Sequence, residues 1–253
     1  MEVLVAIQLI ETPRIPYYPH PSVPLPESTT RDADLRTSKT LTNLPPLSCS
    51  LQHIIHLLHT LATAYANMLP GLDTDAALSS PLYAAQFALL QILEKQKNTV
   101  GQASKLEVLL ANALQLYFVV GPRSNPPVMR IFDLLVARLK DALVPFLGDA
   151  TPHPVFGREE YIVRTVERDG AINKAIAWSL GIGACVAAWM GRSEDSWFKG
   201  HVGAHFGALG LDRSEEEWRG VLGGFPGTEG FVWLDVWGVW RGFRDAKGGV
   251  REI

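Results

Sequence analysis

The sequence predicts an all-α protein: a single helical domain of stacked, mostly antiparallel helices behind a proline-rich N-terminal tail. Three observations carry that prediction. From Ser48 onward apolar residues recur at i, i+3, i+4 and i+7, the spacing of one buried helix face. Short breaks such as Pro70-Gly71 and Gly121-Pro122 separate the periodic runs. No run shows the period-2 alternation bounded by hairpin turns that a half-buried sheet needs.

The elements follow in order. Residues 12–47 contain Pro13, Pro16, Pro19, Pro21, Pro24, Pro26, Pro45 and Pro46 around a Ser/Thr/Asp/Arg patch. Proline at that density opposes helix and sheet ladders, so residues 1–47 are expected to be a largely disordered tail or linker and residues 48–253 the helical domain. Ser48 or Ser50 can cap a helix through Ile54, Leu57, Leu58, Leu61 and Tyr65. A second helix is expected to begin near Pro81 and bury Leu82, Ala85, Leu89 and Leu93. A third, over residues 103–120, presents Leu106, Leu109, Leu110, Ala113, Leu116 and Tyr117. Asn125 as N-cap with Pro126 at the first helical position predicts a fourth, with Phe132, Leu135, Leu139 and Phe146 inside and Arg130, Asp133 and Lys140 outside. In the charged stretch after residue 157, Tyr161, Val163 and Val166 can form the inner side of a short helix.

All seven tryptophans lie in the last third: Trp178, Trp189, Trp197, Trp218, Trp233, Trp237 and Trp240. Each buries roughly 150–250 Å², so the region forms a dense core or an aromatic-lined cavity. Residues 172–190 are apolar almost all round, as in a central buried helix. Glu194 and Asp195 suit the start of the next helix, which carries Trp197, Phe198, Val202, His205, Phe206 and Leu209 and stops at Gly210. Ser214 and Glu217 form a capping box ahead of Trp218, Val221 and Leu222. Trp233, Trp237 and Trp240 share one face of a closing helix over residues 231–243.

Composition narrows the function. The chain has 253 residues, 47% hydrophobic and 19% charged, with a formal net charge of -3. That balance, without a local Lys/Arg cluster, argues against a nucleic-acid interface. Cys49 and Cys185 are far apart and propose no disulfide framework, which fits a reducing compartment. The start, MEVLVAIQLI, has no basic region and no small-residue cleavage site, so a signal peptide is not expected. The uncharged run over residues 175–190 falls short of the roughly 18–20 residues of a membrane helix.

Several constellations invite chemical readings. His201 and His205 share a helix face at a zinc-compatible spacing, but no Glu follows the first His and no third ligand is evident. His53, His56 and His59 advance three at a time and rotate around their helix, so they form no site. Ala177-Trp178-Ser179-Leu180-Gly181 has the form of a nucleophile elbow, which would need a strand ending at Ser179, yet INKAIAW reads as helix. Its triad partners would be Glu194 or Asp195 and His201 or His205, too close in sequence for that fold. Gly181-Ile182-Gly183 begins a dinucleotide motif, but Val186 stands where its third glycine belongs. No residue is therefore assigned as catalytic, cofactor-binding, metal-ligating or DNA-binding, and no cofactor is expected.

The order of landmarks in residues 172–243 resembles the C-terminal end of the fungal-specific transcription factor regulatory domain, the helical region downstream of six-cysteine binuclear zinc clusters. The resemblance rests on Trp189, Trp197-Phe198, Trp218, Leu222, Phe225, Trp233 and either Trp237 or Trp240. It is looser over residues 50–147, where helix-rich character and LLANALQLYFVVG agree. The cluster itself is missing, since two cysteines stand where six thiolates are required. The resemblance implies a nuclear, transcription-related regulatory domain without its own DNA-reading half, acting on the transcriptional machinery or related factors or sensing a small effector. It makes Trp189, Trp197, Trp218 and Trp233 core landmarks and implies no enzyme activity. The alternatives are a serine hydrolase using Ser179 and a non-catalytic scaffold or oligomerisation module.

Overall fold

A computed structural model describes residues 25–42, 44–67, 74–98, 104–149 and 170–210, with positions 216, 219–220, 223–228, 231, 234–236, 238–239 and 241–242 beyond them. Among the described residues the elements are α1 (Glu27–Thr42), α2 (Cys49–Ala66), α3 (Thr74–Asn98), α4 (Lys105–Val120), α5 (Ile131–Leu147), α6 (Gly170–Ala188), a 3₁₀ turn (Trp189–Gly191) and α7 (Asp195–Ala208). The expected all-α single domain is what the chain forms. Consecutive helices pack as pairs, α1 on α2, α2 on α3, α4 on α5 and α6 on α7, while α4 and α5 also close over α6. One apolar cluster runs from Leu51 through Tyr117, Leu139 and Trp178 to Val236.

The N-terminal expectation needs correction. Residues 27–42 are not part of a disordered linker but form α1, with Pro26 ahead of it and Pro45-Pro46 after it. Between these flanking prolines there is none, so nothing interrupts the backbone ladder. Glu27 in the first turn and Lys39 in the last oppose the helix dipole. The buried stripe is Thr29, Ala33, Thr37 and Thr40, which no search for aliphatic periodicity would flag. Two of its hydroxyls are satisfied within the helix: Thr37 Oγ1 donates to the Ala33 carbonyl at 2.8 Å and Thr40 Oγ1 to the Arg36 carbonyl at 3.0 Å. Residues 1–24 lie outside the described residues.

α2 starts at the expected Ser48, whose hydroxyl makes no capping bond; its backbone N–H instead donates to Glu107 Oε1 at 2.6 Å. Asp34 and Thr40 of α1 face His56 and His59 of α2, positions that rise together along both helices, so this pair crosses rather than running strictly antiparallel. α6 and α7 do run antiparallel: Gly183 lies against Phe198, and Asn173 against His205.

Two helix starts differ from expectation. α3 begins at Thr74, with Pro81 inside it rather than at its first position. A proline in a helix interior costs about 3 kcal/mol. Burial of Leu78, Ala85, Leu89 and Ile92 on both sides offsets that, at about 1.5–3 kcal/mol for each large side chain. α5 begins at Ile131, not at Pro126, and Arg130 occupies the cap position. Pro127 disfavours the helical conformation at the residue before it, and the Pro127 carbonyl is held by Arg192, so residues 126–130 stay in turns. Ser104 caps α4 by accepting the Glu107 N–H at 3.2 Å. Gly210, at φ 71°, takes the left-handed conformation that lets the chain leave α7.

α6 is the central element. Residues from Ala175 to Ala187 are buried at every position, and both α4 and α5 cover it. It is the one helix among the described residues long and apolar enough to cross a membrane, yet 78% of its most apolar window is buried in the bundle, as in a core helix. The expected short helix at Tyr161, Val163 and Val166, the capping box at Ser214 and Glu217, and Trp218, Trp233, Trp237 and Trp240 lie outside the described residues. Val236, Gly238, Val239, Arg241 and Gly242 are helical where the closing helix was expected.

Candidate functional site

Each residue singled out for chemistry has a definite place in this bundle. Ser179 is in the middle of α6 with no exposure, and its Oγ donates to the Ala175 carbonyl one turn back at 2.8 Å. A nucleophile elbow holds its serine on a tight strand-to-helix turn that exposes the hydroxyl. Here the residues before Ser179 are helical and its proton is committed to the helix's own backbone. Asp195 Oδ2 accepts from Lys199 at 2.6 Å, one turn further along α7.

His201 and His205 share the inner face of α7, at 1% and 0% exposure. His205 Nε2 is 3.1 Å from the Asn173 carbonyl; a carbonyl only accepts, so Nε2 carries the proton. The His201 ring lies 4.2 Å from Trp197, whose Nε1 donates to the Asp149 carbonyl at 2.8 Å. Among the described residues no three His, Cys, Asp or Glu side chains are grouped to hold a metal ion. The pair therefore ties α7 to the start of α6 and packs on Trp197.

The two glycines of the GxG pair serve helix packing. A Cβ on Gly183 would fall 2.1 Å from Phe198 Cε1, and one on Gly181 would fall 3.0 Å from Val236 Cγ1. Their missing side chains let α7 and the C-terminal segment approach the α6 backbone.

The three histidines of α2 have three fates. His53 is exposed, and His56 Nδ1 is 3.5 Å from Asp34 Oδ1. His59 is fully buried, with Nε2 3.0 Å from Thr40 Oγ1. Because Thr40 already gives its proton to the Arg36 carbonyl, its oxygen accepts from His59 Nε2–H. Nδ1 is buried without a hydrogen-bond partner. Burial first, then the charges of Arg36 and His56, push the His59 pKa down to about 3.

What the fold brings together is an aromatic layer and a polar clasp, and sequence reasoning identified neither. In the layer, Trp178 of α6 stacks on Phe225 at 5.3 Å and 18°. Tyr117 of α4 lies edge-on to Phe231 at 5.7 Å and donates its hydroxyl to the Gly227 carbonyl at 2.6 Å. Tyr65 of α2 meets Phe231 at 5.2 Å and donates to the Pro122 carbonyl at 3.0 Å. The segment after α7 is thus seated across α2, α4 and α6. Gly121 belongs to the same contact, since a Cβ there would press on Leu234 and Phe231 at 3.1 Å. The available signal was the pair of tyrosines on otherwise aliphatic faces, because a buried tyrosine needs an acceptor for its hydroxyl.

The clasp is Arg192. Its guanidinium donates from Nε to Asp133 Oδ1 at 2.8 Å, from Nη1 to the Val186 carbonyl at 2.9 Å and the Trp189 carbonyl at 2.6 Å, and from Nη2 to the Pro127 carbonyl. These bonds satisfy carbonyls left open at the end of α6 and join that end to the turns before α5. Of the expected landmarks, Trp197 and Phe198 are buried at 3% and 0%, whereas Trp189 is 41% exposed and is no core landmark. Trp189 stands in the 3₁₀ turn, where the helix rotation that would have kept it inward has ended.

Comparison of the chain with known protein families, with characterised proteins and with solved structures finds no match in any of the three.

Proposed function

We propose that the chain is a transcription-related regulatory domain of the fungal transcription factor type, without its own DNA-binding module, acting in the nucleus through contacts with other proteins or a small effector. The observation that carries this reading is the seating of the C-terminal landmarks. Phe198 enters the space left by Gly183, and Phe225 stacks on Trp178, so two of the residues whose order supports the resemblance pack on one Ala/Gly-rich helix. A regulatory module needs such a self-consistent helical body and does not need an exposed nucleophile. Ser179, buried and bonded within α6, lends no support to ester hydrolysis.

The test is to tether residues 1–253 to a heterologous DNA-binding domain and read a reporter. A change in reporter output that disappears when Phe225→Ala unseats the tail is the expected result. Unchanged output, with or without coexpressed relatives, would overturn the reading. Binding of a duplex at low salt should be weak and independent of sequence; tight, specific binding would equally count against it.

A further inference from the structure

α1 is held unlike the other helices. It packs on α2 and makes no comparable contact with any other helix. Its buried stripe offers one aliphatic side chain, Ala33, among three threonines, and Leu41 at its end is only partly buried. α2, α4, α5 and α6 instead share the large apolar cluster. The link from α1 to α2 passes through Pro45 and Pro46, both exposed, before Leu47 is buried again. α1 therefore lies on α2 by a contact poor in apolar area, next to a proline turn whose far end is anchored.

Inside that contact lies the His59 imidazole, fully buried, with Nε2 on Thr40 and Nδ1 without a hydrogen-bond partner. Among the described residues none offers a second proton a counter-ion. α1 contributes Arg36, and α2 itself contributes His56. Asp34, the acid of α1 that meets α2, stands 3.5 Å from His56 Nδ1, where both side chains are partly solvated. Glu27, Arg31, Asp32 and Lys39 are exposed. α3, which also packs on α2, has no charged residue between Asp75 and Glu94. Glu107 of α4 accepts from the Ser48 N–H, about 16 Å along α2 from His59. A proton on His59 would thus be a charge buried among like charges, and the burial that closes the contact opposes it.

We propose that α1 is an acid-released strap, lying on α2 over a neutral His59 near pH 7 and swinging away on Pro45-Pro46 in mild acid while α2 to α7 stay folded. The proton acts on any opening that hydrates His59, and release of α1 is the smallest one, since it gives up the fewest apolar contacts. It uncovers the stripe of α2 that His59 shares with Ile55 and Thr63, one turn to either side. The packed value of about 3 and the free value of 6.5 set the size of the effect: the opening constant rises about 25-fold between pH 7 and pH 5. The inference stands independently of any role in transcription.

The experiment is hydrogen–deuterium exchange of the full chain, read by mass spectrometry at pH 7 and pH 5 and corrected for the intrinsic pH dependence of exchange. Peptides from α1 should lose about 25-fold in protection between the two, while peptides from α6 keep theirs. His59→Gln, whose amide can still donate to Thr40 but takes no proton, should abolish the difference. Arg36→Gln, at an exposed position, should reduce it, and this variant decides the matter if His59→Gln leaves α1 unprotected at both pH values. Four results would overturn the proposal: equal protection of α1 at both pH values, joint loss from α1 and α6, an unchanged loss in a His59→Gln chain that still protects α1 at pH 7, or an unchanged loss in Arg36→Gln.

Discussion

Arg192 Nε stands 2.8 Å from Asp133 Oδ1, yet the two ends of this bond live in different solvents, the arginine side chain at 5% exposure and the aspartate at 64%. The carboxylate keeps its hydration while the guanidinium has exchanged water for the carbonyls of Val186, Trp189 and Pro127. The pair is therefore asymmetric in energy. The arginine holds the end of α6 against the turns before α5, and the aspartate trims one edge of that arrangement.

The asymmetry predicts unequal mutants. Arg192→Met should lower unfolding stability by about 3–5 kcal/mol, because carbonyls at a buried helix end lose their donor. Asp133→Asn should cost no more than about 1 kcal/mol, as expected for an exposed partner. Urea denaturation followed by circular dichroism reads both values. Equal losses at the two positions would contradict the asymmetry.

Gly183→Ala places a methyl group 2.1 Å from Phe198 Cε1, closer than any packed pair tolerates. The expected loss is about 1–3 kcal/mol from overpacking. Phe198→Leu in the same chain should recover part of it, because the clash is with the ring edge. A double-mutant cycle showing simple additivity would place the strain elsewhere.

Acid should weaken the packing of α1 on α2. The folded His59 pKa, held down to about 3 by burial, lies below the 6.5 of the free side chain, so protons bind the opened state preferentially. The stabilisation is complete above pH 6.5, declines as pH falls through that value, and is exhausted near pH 3. At pH 5 the loss from this group is about 2 kcal/mol. The urea midpoint of His59→Gln should depend less on pH between 6.5 and 5 than that of the parent chain. Equal slopes would show that His59 leaves its pocket no more favourably when charged.

Tryptophans 178 and 189 should respond in opposite ways. Trp178→Ala empties a site at 1% exposure stacked on Phe225 and should cost about 3–5 kcal/mol. Trp189→Ala, at 41% exposure, should cost under about 1 kcal/mol. Trp178→Phe should fall between the two, since the indole Nε1 has no hydrogen-bond partner to lose. Thermal melts of the three variants rank them directly.

The interior faces of α2, α4 and α5 were legible in the sequence because Leu58, Leu110 and Leu139 follow a period that the backbone itself imposes. α1 was not, because its buried stripe is one alanine and three threonines, of which Thr37 and Thr40 bond to the preceding turn, and local hydrophobicity carries no trace of that. The start of α5 was misplaced for a related reason. Asn125 and Pro126 are good starting residues in isolation, while the decisive contact, from Arg192 to Pro127, spans 65 positions.

The candidate sites divide along the same line. Spacing was enough to place His201 and His205 on one face of a helix and to read INKAIAW as helical, which removed the strand an elbow at Ser179 requires. Whether those histidines face water, metal or backbone depended on Asn173 and Trp197, whose positions no spacing rule supplies.

By itself, then, the sequence determined the helical class of this protein, the inward stripe of most of its helices and the absence of an internal strand before Ser179. These follow from backbone periodicity, which acts within a few residues. The tertiary structure alone decided that α1 belongs to the bundle, that Trp178 is buried while Trp189 is exposed, and that Arg192 closes α6. Each of those depends on which surface lies across from a residue, and that is settled only when distant segments pack.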